Sequence, residues 1–549
     1  VIPYWDFEIS LGFGSKRIHR WFGGASWMPF RHLSCPYFHD LAFVIEYDAT
    51  RYKSHRYEHH PDGHDTKSPI NYGVKYRLWN QMDFSLSYIR GKKLAFSLSA
   101  FYNLGMTKGI IPKIDNPFPY TAPINTQPLG PLRPDDVLVQ DLLYPLRDQG
   151  FELLEAWLSC SCGGNKILRL KIGNGTYRCE CDVRNRLDSI LASLIPSSID
   201  QVIISMEGYG FEAHEYHYCM EFVRRYADQQ MGPYELHILS PLCEVSCYGR
   251  ANCYRLFKQM PDWWNIELFP KAHAFFGSAK GKFKYALGAY LGFNGFLWSN
   301  WYYSLLIGYN ACSNLDDVKD VDKLNPSQLI NVRTDIINYF KRKGLSIEEA
   351  YAQRNWNLGR GWYTKFSAGL FEIEYGGLAG EVLYYPINCR LALGIEGALL
   401  RKRKVSGIGF TDVIRKLDGY KPTYVKFHGA QYFANLYYNF RELDIDLQFK
   451  GGKFLANDWG LRTEISRYYL SGLRVSFWYT YTNGRDRING ERYYDKGVAI
   501  SVPLDIFFTR SSRQFWSYGI SAWLRDVGAF AYTGQDLYYL IRKERENCY

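Results

Sequence analysis

The chain has 549 residues, of which 17% are aromatic, and its mean hydropathy is −0.30. It carries 66 lysine and arginine residues against 55 aspartate and glutamate residues, a formal net charge of +11. This length and composition exclude a disordered chain and allow two or three domains. Like charges form no block longer than Arg401–Lys404, which is too sparse for a nucleic-acid-binding stripe, so we expect no nucleic-acid partner.

Residues 1–105 contain stretches in which apolar and polar residues alternate, a pattern that predicts half-buried β-strands. The predicted strands are Trp5–Phe13, Leu41–Tyr47, Ile70–Leu78, Met82–Arg90 and Lys93–Leu104. A membrane barrel needs at least eight strands. We therefore interpret this region as an incomplete N-terminal β-barrel region, completed either by strands upstream or by a partner.

The proline-rich stretch 106–135 predicts an extended linker. In 136–260 the apolar period changes between that of helices and that of strands, which predicts a small α/β domain. The predicted helices are Val137–Gln149, Leu187–Ile195 and His214–Gln229, and the predicted strands are Phe151–Ser159, Lys166–Ile172, Gly175–Cys181, Gln201–Met206 and Tyr234–Leu239.

This α/β domain is rich in cysteine, since eight of the 12 cysteines lie between Cys160 and Cys253. We expect Cys160 and Cys162 on one face of one strand, and Cys179 and Cys181 on one face of a strand that pairs with it. Such a cluster suits a tetrahedral metal or two cross-strand disulfides. Zinc sites usually have two residues between the cysteines, and these pairs have one, so the spacing favours disulfides.

The sequence offers no motif that predicts catalysis. His214 and His217 are three residues apart, whereas the zinc-protease motif needs four, so we predict a surface helix there. The sequence contains no nucleophile elbow, phosphate-binding loop or dinucleotide fingerprint. We expect a protein that is not an enzyme and has no cofactor.

Residues 261–530 show about fourteen alternating segments, most of them near the ten residues that a tilted membrane strand requires. Tyrosine and tryptophan pairs cluster where these segments stop, as at a membrane–water interface. The pattern predicts a C-terminal barrel of about 14 strands followed by a tail, 531–549, with a soluble sandwich as the alternative. The segments start near Ile266, Lys282, Trp301, Leu329, Ile347, Trp362, Leu378, Arg390, Pro422, Glu442, Trp459, Leu473, Lys496 and Phe515.

Several of these stretches resemble the YjbH/GfcD family of exopolysaccharide-associated outer-membrane proteins, over nearly the whole chain and in the same order. The stretches are Lys67–Tyr76, Asp83–Gly91, Val332–Ile336 with Tyr339, Gly377–Tyr384, Tyr494–Gly497, Ile500–Asp505 and Arg510–Arg513. The resemblance implies two β-barrel regions in one outer-membrane polypeptide, a role in secreting or assembling an extracellular polysaccharide, and small periplasmic or lipoprotein partners. It brings no catalytic residues.

Together these observations predict a mainly β fold: two outer-membrane antiparallel β-barrel regions flank a small α/β domain that faces the periplasm of a Gram-negative-type bacterium. We expect contacts with a polysaccharide, outer-membrane lipid and export partners. The candidate residues for lining the barrel and contacting a polymer are Asp444, Asp446, Gln448, Arg462, Glu464 and Arg474. The alternatives are a structural or adhesin-like anchor and an outer-membrane enzyme that hydrolyses lipid or glycan.

Overall fold

The computed structural model describes residues 7–14, 20–31, 38–48, 67–78, 82–100, 103, 105, 109–111, 118–121, 135–160, 164–246, 253–275, 284–298, 300–317, 327–419, 421–488, 491–521 and 525–545. The chain divides into two compact units, 1–104 and 105–549. Each unit is described by itself.

The first unit contains one antiparallel sheet of six strands, paired in chain order. They are β1 (Phe7–Gly14), β2 (Arg20–Trp27), β3 (Leu41–Tyr47), β4 (Ile70–Leu78), β5 (Met82–Ile89) and β6 (Lys93–Ala100). The sequence predicted five of these strands and missed β2, whose Gly23 and Gly24 interrupt the apolar alternation. On the described strands one face exposes apolar side chains such as Ile45 and Tyr72, whereas Asp83 on the other face is buried and paired with Arg77 at 2.7 Å.

The second unit begins with an α/β domain. Its strands are β7 (Phe151–Cys160), β8 (Lys166–Asn174), β9 (Gln201–Gly208), β10 (Phe211–Cys219), β11 (Leu242–Cys243) and β12 (Cys253–Lys258), and its helices are α1 (Asp135–Asp148), α2 (Glu180–Leu194), α3 (Met220–Ala227) and α4 (Pro233–Leu239). The sheet order is β11-β10-β9-β8-β7-β12, and only β8 and β9, which α2 connects, are parallel. Apolar residues from all four helices pack with the sheet in one core.

Three predictions in this domain were wrong. Residues 214–219, predicted as the start of the helix His214–Gln229, belong to strand β10, because Tyr209 and Gly210 both adopt positive φ and turn the chain back along β9. The predicted strand Tyr234–Leu239 is helix α4, which begins with Pro233 in its first turn and with Glu235 accepting from the backbone N–H of Gly232. The predicted strand Gly175–Cys181 does not form, since β8 ends at Asn174 and helix α2 begins at Glu180.

The rest of the second unit is dominated by a 14-stranded antiparallel sheet. Its long strands are β13 (Asn265–Phe275), β14 (Lys284–Leu297), β15 (Trp301–Ser313), β16 (Gly344–Gly359), β17 (Trp362–Leu370), β18 (Tyr375–Tyr384), β19 (Leu391–Arg403), β23 (Gly429–Phe440), β24 (Ile445–Lys453), β25 (Trp459–Tyr468), β26 (Arg474–Thr482), β29 (Asp495–Pro503) and β30 (Phe515–Ser521). The two-residue strand β20 (Phe410–Thr411) pairs with β19. Two hairpins project from the sheet, β21 (Val413–Asp418) with β22 (Lys421–Lys426), and β27 (Arg487–Ile488) with β28 (Glu491–Arg492).

Short helices accompany this sheet. They are α5 (Ile337–Phe340), α6 (Leu537–Glu544) and the 3-10 turns Leu315–Asp317, Arg441–Leu443 and Leu504–Phe507. None of the helices in the described part of the chain is long and apolar enough to cross a membrane.

The predicted mainly β fold with a sheet of about 14 strands is confirmed. The number of strands agrees with the prediction, but not every predicted segment is a strand of this sheet. The segment predicted near Leu329 is not a strand of the sheet but part of the connection between β15 and β16, where Ile330 makes one isolated bridge to Lys416. The segment predicted near Pro422 coincides with the hairpin strand β22, which is also outside the large sheet. The two strands that complete the fourteen are β23 and the two-residue β20.

The sheet curls so that its first and last strands approach each other. The hydroxyl of Tyr518 on β30 donates to the carbonyl of Ala274 on β13 at 3.2 Å. Among the described residues no backbone ladder joins these two strands. The curl nevertheless separates an enclosed face from an outer face.

Candidate functional site

The large sheet buries polar side chains on its enclosed face and exposes apolar ones on its outer face. On β18, Glu381 is 3% exposed, while Leu378 and Val382 beside it are 51% and 43% exposed. On β19, Ile395 and Leu399 are 70% and 66% exposed. This distribution is the reverse of that in a water-soluble β-protein, where alternation puts the apolar residues inside.

The same alternation continues around the sheet. Buried polar residues of the enclosed face are Gln353, Asn355, Lys365, Ser367, Gln431, Asn435, Asn439, Lys450, Ser466, Ser476 and Thr480. Exposed apolar residues of the outer face are Ile266, Leu268, Trp362, Phe366, Leu391, Leu393, Tyr432, Leu436, Leu461, Ile465, Phe477, Tyr479, Ile500, Trp516 and Ile520.

A cavity of about 910 Å³ lies against the enclosed face. Four of the six predicted polymer-contact residues line it: Gln448, Arg462, Glu464 and Arg474. The guanidinium of Arg462 lies 4.6 Å from the ring centroid of Trp478 and 3.2 Å from the carboxylate of Glu464. The cavity wall therefore combines charged groups with an aromatic face, the two kinds of surface that bind sugar hydroxyls and sugar ring faces.

The remaining two predicted residues lie elsewhere. Asp446 is buried, and it accepts from Arg542 at 2.8 Å and from Asn439 at 2.9 Å. Asp444 precedes β24 in the turn after the 3-10 helix Arg441–Leu443, where its φ is 54°. Asp444 therefore lies just outside the strand on which its alternating pattern placed it, since β24 begins at Ile445.

The C-terminal residues 525–545, which we call the strap, run along the enclosed face. The sequence predicted strands up to 530 and a tail beyond. In the structure, groups on the enclosed face of the sheet, which we call the wall, form hydrogen bonds with every second residue of the strap. The contacts are Leu455 N to Ala529 O at 2.9 Å, Ala531 N to Gln431 Oε1 at 2.8 Å, Ser367 Oγ to Thr533 O at 2.8 Å, Lys365 Nζ to Gln535 O at 3.0 Å and Leu537 N to Glu381 Oε2 at 3.3 Å.

Both ends of the strap are anchored. Near its start, the carboxylate of Asp526 accepts from the backbone N–H and hydroxyl of Thr334, at 3.0 and 2.7 Å, and from Asn331 at 3.1 Å. Near its end, helix α6 begins at Asp536, whose side chain accepts from the N–H of Tyr538. The ring of Tyr538 stacks on Tyr437 of β23 with centroids 3.9 Å apart.

Charged side chains that are buried at the enclosed face are paired. Lys365 lies 2.7 Å from Glu381, and Lys402 lies 2.7 Å from both Glu374 and Asp335. Because an unpaired charge at such a site is costly, these pairs are needed for the interior to be polar.

The α/β domain covers one end of the sheet. Asn357 on β16 donates to the carbonyl of Glu212 at 2.7 Å, and the hydroxyl of Tyr363 on β17 donates to that of Ala213 at 3.2 Å. Arg178 forms a bidentate pair with Asp505 at 3.0 Å. The strand connections at this end include 360–361, 385–390 and 469–473, whereas the opposite end carries the longer connections 314–343 and 404–428.

His214 lies in this contact region and not on a surface helix, as the sequence predicted. It is 1% exposed on β10, and neither ring nitrogen has a hydrogen-bond partner. Burial holds the pKa of His214 well below its usual range, and the nearby cations Arg545, Arg184 and Arg513 lower it further. His214 is therefore neutral in the folded domain. His217, three residues on, bonds to Glu215 at 3.0 Å, and the pair forms no zinc site.

The cysteine cluster differs from its prediction. Cys179 is the residue before helix α2 and Cys181 lies in its first turn, so they do not share a strand face. Cys160 carries a free thiol, and Cys162 lies outside the described residues. Because Cys160 is unpaired, the two predicted cross-strand disulfides are not both formed.

A metal site at this cluster is not supported either. The ligand atoms of Cys179, Cys181 and Asp182 lie within 4.8 Å of one another. Cys179, however, is itself disulfide-bonded and offers no thiolate.

Comparison with known proteins decides the family. The model of a family described as "Exopolysaccharide biosynthesis protein YbjH" matches residues 7–543. The chain belongs to the YjbH family. The description of this family refers to exopolysaccharide biosynthesis.

One curated relative is an "Uncharacterized lipoprotein YjbH" of Escherichia coli K12, which is 28% identical over 220 residues. The match spans 40% of the present chain and 30% of the relative. Among solved structures, the outer-membrane protein OmpT of Vibrio cholerae covers 50% of the chain and 92% of its own length, with 11% identity and a TM-score of 0.23. Its loop L8 deletion mutant covers 44% and 87%, with 8% identity and the same TM-score.

Proposed function

We propose that residues 261–545 form an outer-membrane β-barrel that supports the export or surface assembly of an exopolysaccharide without catalysing a reaction. The observation that carries this proposal is the reversed distribution of side chains on the large sheet. Buried Glu381 and Lys365 beside exposed Leu378 and Ile395 suit a wet interior and a lipid-facing exterior. In water the same outer face would be a large apolar patch.

The connections between strands support an orientation. Outer-membrane barrels have short periplasmic turns and longer extracellular loops. The α/β domain covers the end that carries the short connection 360–361, whereas 404–428 lies at the other end. This arrangement supports a periplasmic position for the α/β domain, in which periplasmic or lipoprotein partners would have access to it.

The cavity supports a polysaccharide as the molecule handled. Arg462, Glu464 and Gln448 offer hydrogen-bond donors and acceptors, and Trp478 offers an aromatic face. These side chains belong to neighbouring strands β24, β25 and β26, so they form one continuous wall. Such a wall binds a neutral or charged sugar chain without needing a reactive group.

The proposal is tested by deleting the gene in the organism and measuring polysaccharide in the cell envelope and at the surface. We expect surface polymer to fall and polymer in the periplasm to rise, with recovery when the intact chain is supplied. A quadruple alanine variant of Gln448, Arg462, Glu464 and Arg474 should restore the folded protein but not the export. Unchanged surface polymer after deletion would refute a role in export.

A second candidate is a structural or adhesin-like anchor, and the strap favours it because it occupies the enclosed face. An anchor predicts that the cavity variant restores every phenotype of the deletion strain as well as the wild type does. The export proposal predicts that it does not.

A further inference from the structure

The strap combines two properties that are not expected together in a permanent core segment. It lies along the enclosed face from one end of the sheet to the other, and it is held there largely by side chains of the wall. The path is visible on β24 alone. Gly528 N donates to Asp458 just beyond one end of β24, and Arg542 binds Asp446 at the other end.

The wall binds the strap through side chains instead of a backbone ladder. Gln431 both accepts from the N–H of Ala531 and donates to its carbonyl, each at 2.8 Å. Gln353 likewise accepts from the N–H of Gln535 at 2.8 Å and donates to its carbonyl at 3.2 Å. Amide side chains of this kind bond equally well to water or to sugar hydroxyls. When the strap departs, they can therefore form hydrogen bonds with these groups in its place.

Each such hydrogen bond contributes only about 0.5–1.5 kcal/mol net, because water replaces it when it breaks. The strap's central stretch is therefore weakly held compared with a strand of the sheet. The stronger contacts are at its ends, at Asp526 and at the pair of Arg542 with Asp446.

We propose that the strap is an intramolecular plug: residues 525–545 close a passage through the large sheet, and release of the Arg542–Asp446 latch allows the strap to leave the enclosed face. The vacated wall then presents Gln431, Gln353 and Lys365 to a passing polysaccharide. This inference rests on the proposed membrane orientation.

The position of the latch indicates what would release it. Helix α6 ends against the α/β domain, where Arg545 donates to the carbonyls of Ala213 and Tyr385, at 3.3 and 2.8 Å. Arg513 binds Glu544 at 3.0 Å and the carbonyl of Lys543 at 2.7 Å. A partner that displaces the α/β domain from the end of the sheet would break the bond of Arg545 to Ala213 and the bond of Arg513 to the carbonyl of Asn174 at 2.6 Å. The domain therefore couples partner binding to opening.

The test is single-channel conductance of the full chain in planar lipid bilayers. Arg542→Asp places two carboxylates together at the latch, and we expect the time spent in a conducting state to rise at least about tenfold over wild type. The double variant Asp446→Arg with Arg542→Asp restores an ion pair of the same geometry and should return the protein to the closed state.

Two further variants keep the test decisive. Deletion of 525–549 removes the strap, and this variant should conduct continuously. The control is Arg401→Ala with Asp412→Ala, which removes a pair at 3.5 Å whose side chains are 57% and 65% exposed, and it should behave as wild type.

The plug is refuted if the folded deletion variant conducts no more than wild type, or if wild type already conducts as the deletion does. Should the deletion variant not fold, the comparison of Arg542→Asp with the charge-swapped pair decides alone. The proposed function is judged separately, by surface polymer in cells. A plug that opens in bilayers while deletion of the gene leaves surface polymer unchanged would refute export and retain the plug.

Discussion

If the outer face contacts lipid, a charged substitution on it should lower the free energy of unfolding much more than the same substitution on a face exposed to water. Ile395 is 70% exposed at the centre of the outward apolar positions between Leu391 and Leu399 of β19. In water, replacing such an exposed residue changes stability by no more than about 0.5 kcal/mol. In a bilayer, arginine at the midplane of a barrel wall costs about 2–4 kcal/mol.

Ile395→Arg should therefore reduce the equilibrium constant for folding into lipid vesicles by about 30- to 1000-fold. The measurement is reversible guanidinium unfolding of the chain in vesicles, followed by tryptophan fluorescence. The same variant solubilised in detergent micelles should lose less, since the charge reaches water more easily there.

The matched control is Ile238→Arg on helix α4 of the α/β domain, where the isoleucine is 59% exposed. It should change the free energy of unfolding by about 0.5 kcal/mol or less. Equal small effects at both isoleucines would contradict the placement of the outer face in lipid. Equal large effects would show that the loss does not come from the bilayer.

Three other perturbations test the remaining contacts. When the pH falls from 7 to 5, the wild type should lose about 2 kcal/mol of unfolding free energy because of His214, and the His214→Leu variant should not show this loss. The folded state keeps this imidazole neutral because its pKa is depressed, while the unfolded chain takes up a proton below about pH 6.5; urea unfolding at both pH values measures this. Arg178→Ala removes the bidentate partner of buried Asp505 and so weakens the contact between the α/β domain and the sheet. Limited proteolysis should then separate the two faster than in the wild type. Lys365→Met strands Glu381 and should cost about 3–5 kcal/mol in thermal unfolding, whereas Lys365→Met with Glu381→Leu should regain most of that loss.

The strands of the large sheet could be predicted because their signal is local. Alternation along β18 or β25 is set by neighbouring residues, since each strand exposes apolar side chains on one face and carries polar side chains on the other. The missed β2 lacks this signal because glycine replaces two of its side chains. Strand β10 also lacks it: most of its residues are buried, since one side meets the domain core and the other meets the end of the large sheet.

The strap could not be predicted from local pattern for a different reason. Its partners lie far away in the sequence, with Gln431 100 positions from Ala531 and Gln353 182 positions from Gln535. Its short helix α6 could have been predicted, since Asp536 is a favourable N-cap before an amphipathic sequence. Nothing in the run itself indicates that it lies inside a sheet.

The aromatic residues that first suggested a membrane interface have defined positions on the outer face. At the end covered by the α/β domain, Trp362 pairs with Tyr384 across β17 and β18, with centroids 4.9 Å apart. At the opposite end, Tyr432 on β23 lies 5.2 Å from Trp459 on β25.

On β19 the outward residues from Leu391 to Leu399 include no aromatic side chain. Eight residue steps of about 3.4 Å give about 27 Å along the strand, or roughly 21 Å across the membrane at a tilt of about 40°. This height is close to the apolar band of about 25 Å in outer-membrane barrels. An apolar band of this height is what the proposed membrane barrel requires, and the α/β domain and the latch of the strap lie beyond the same end of it.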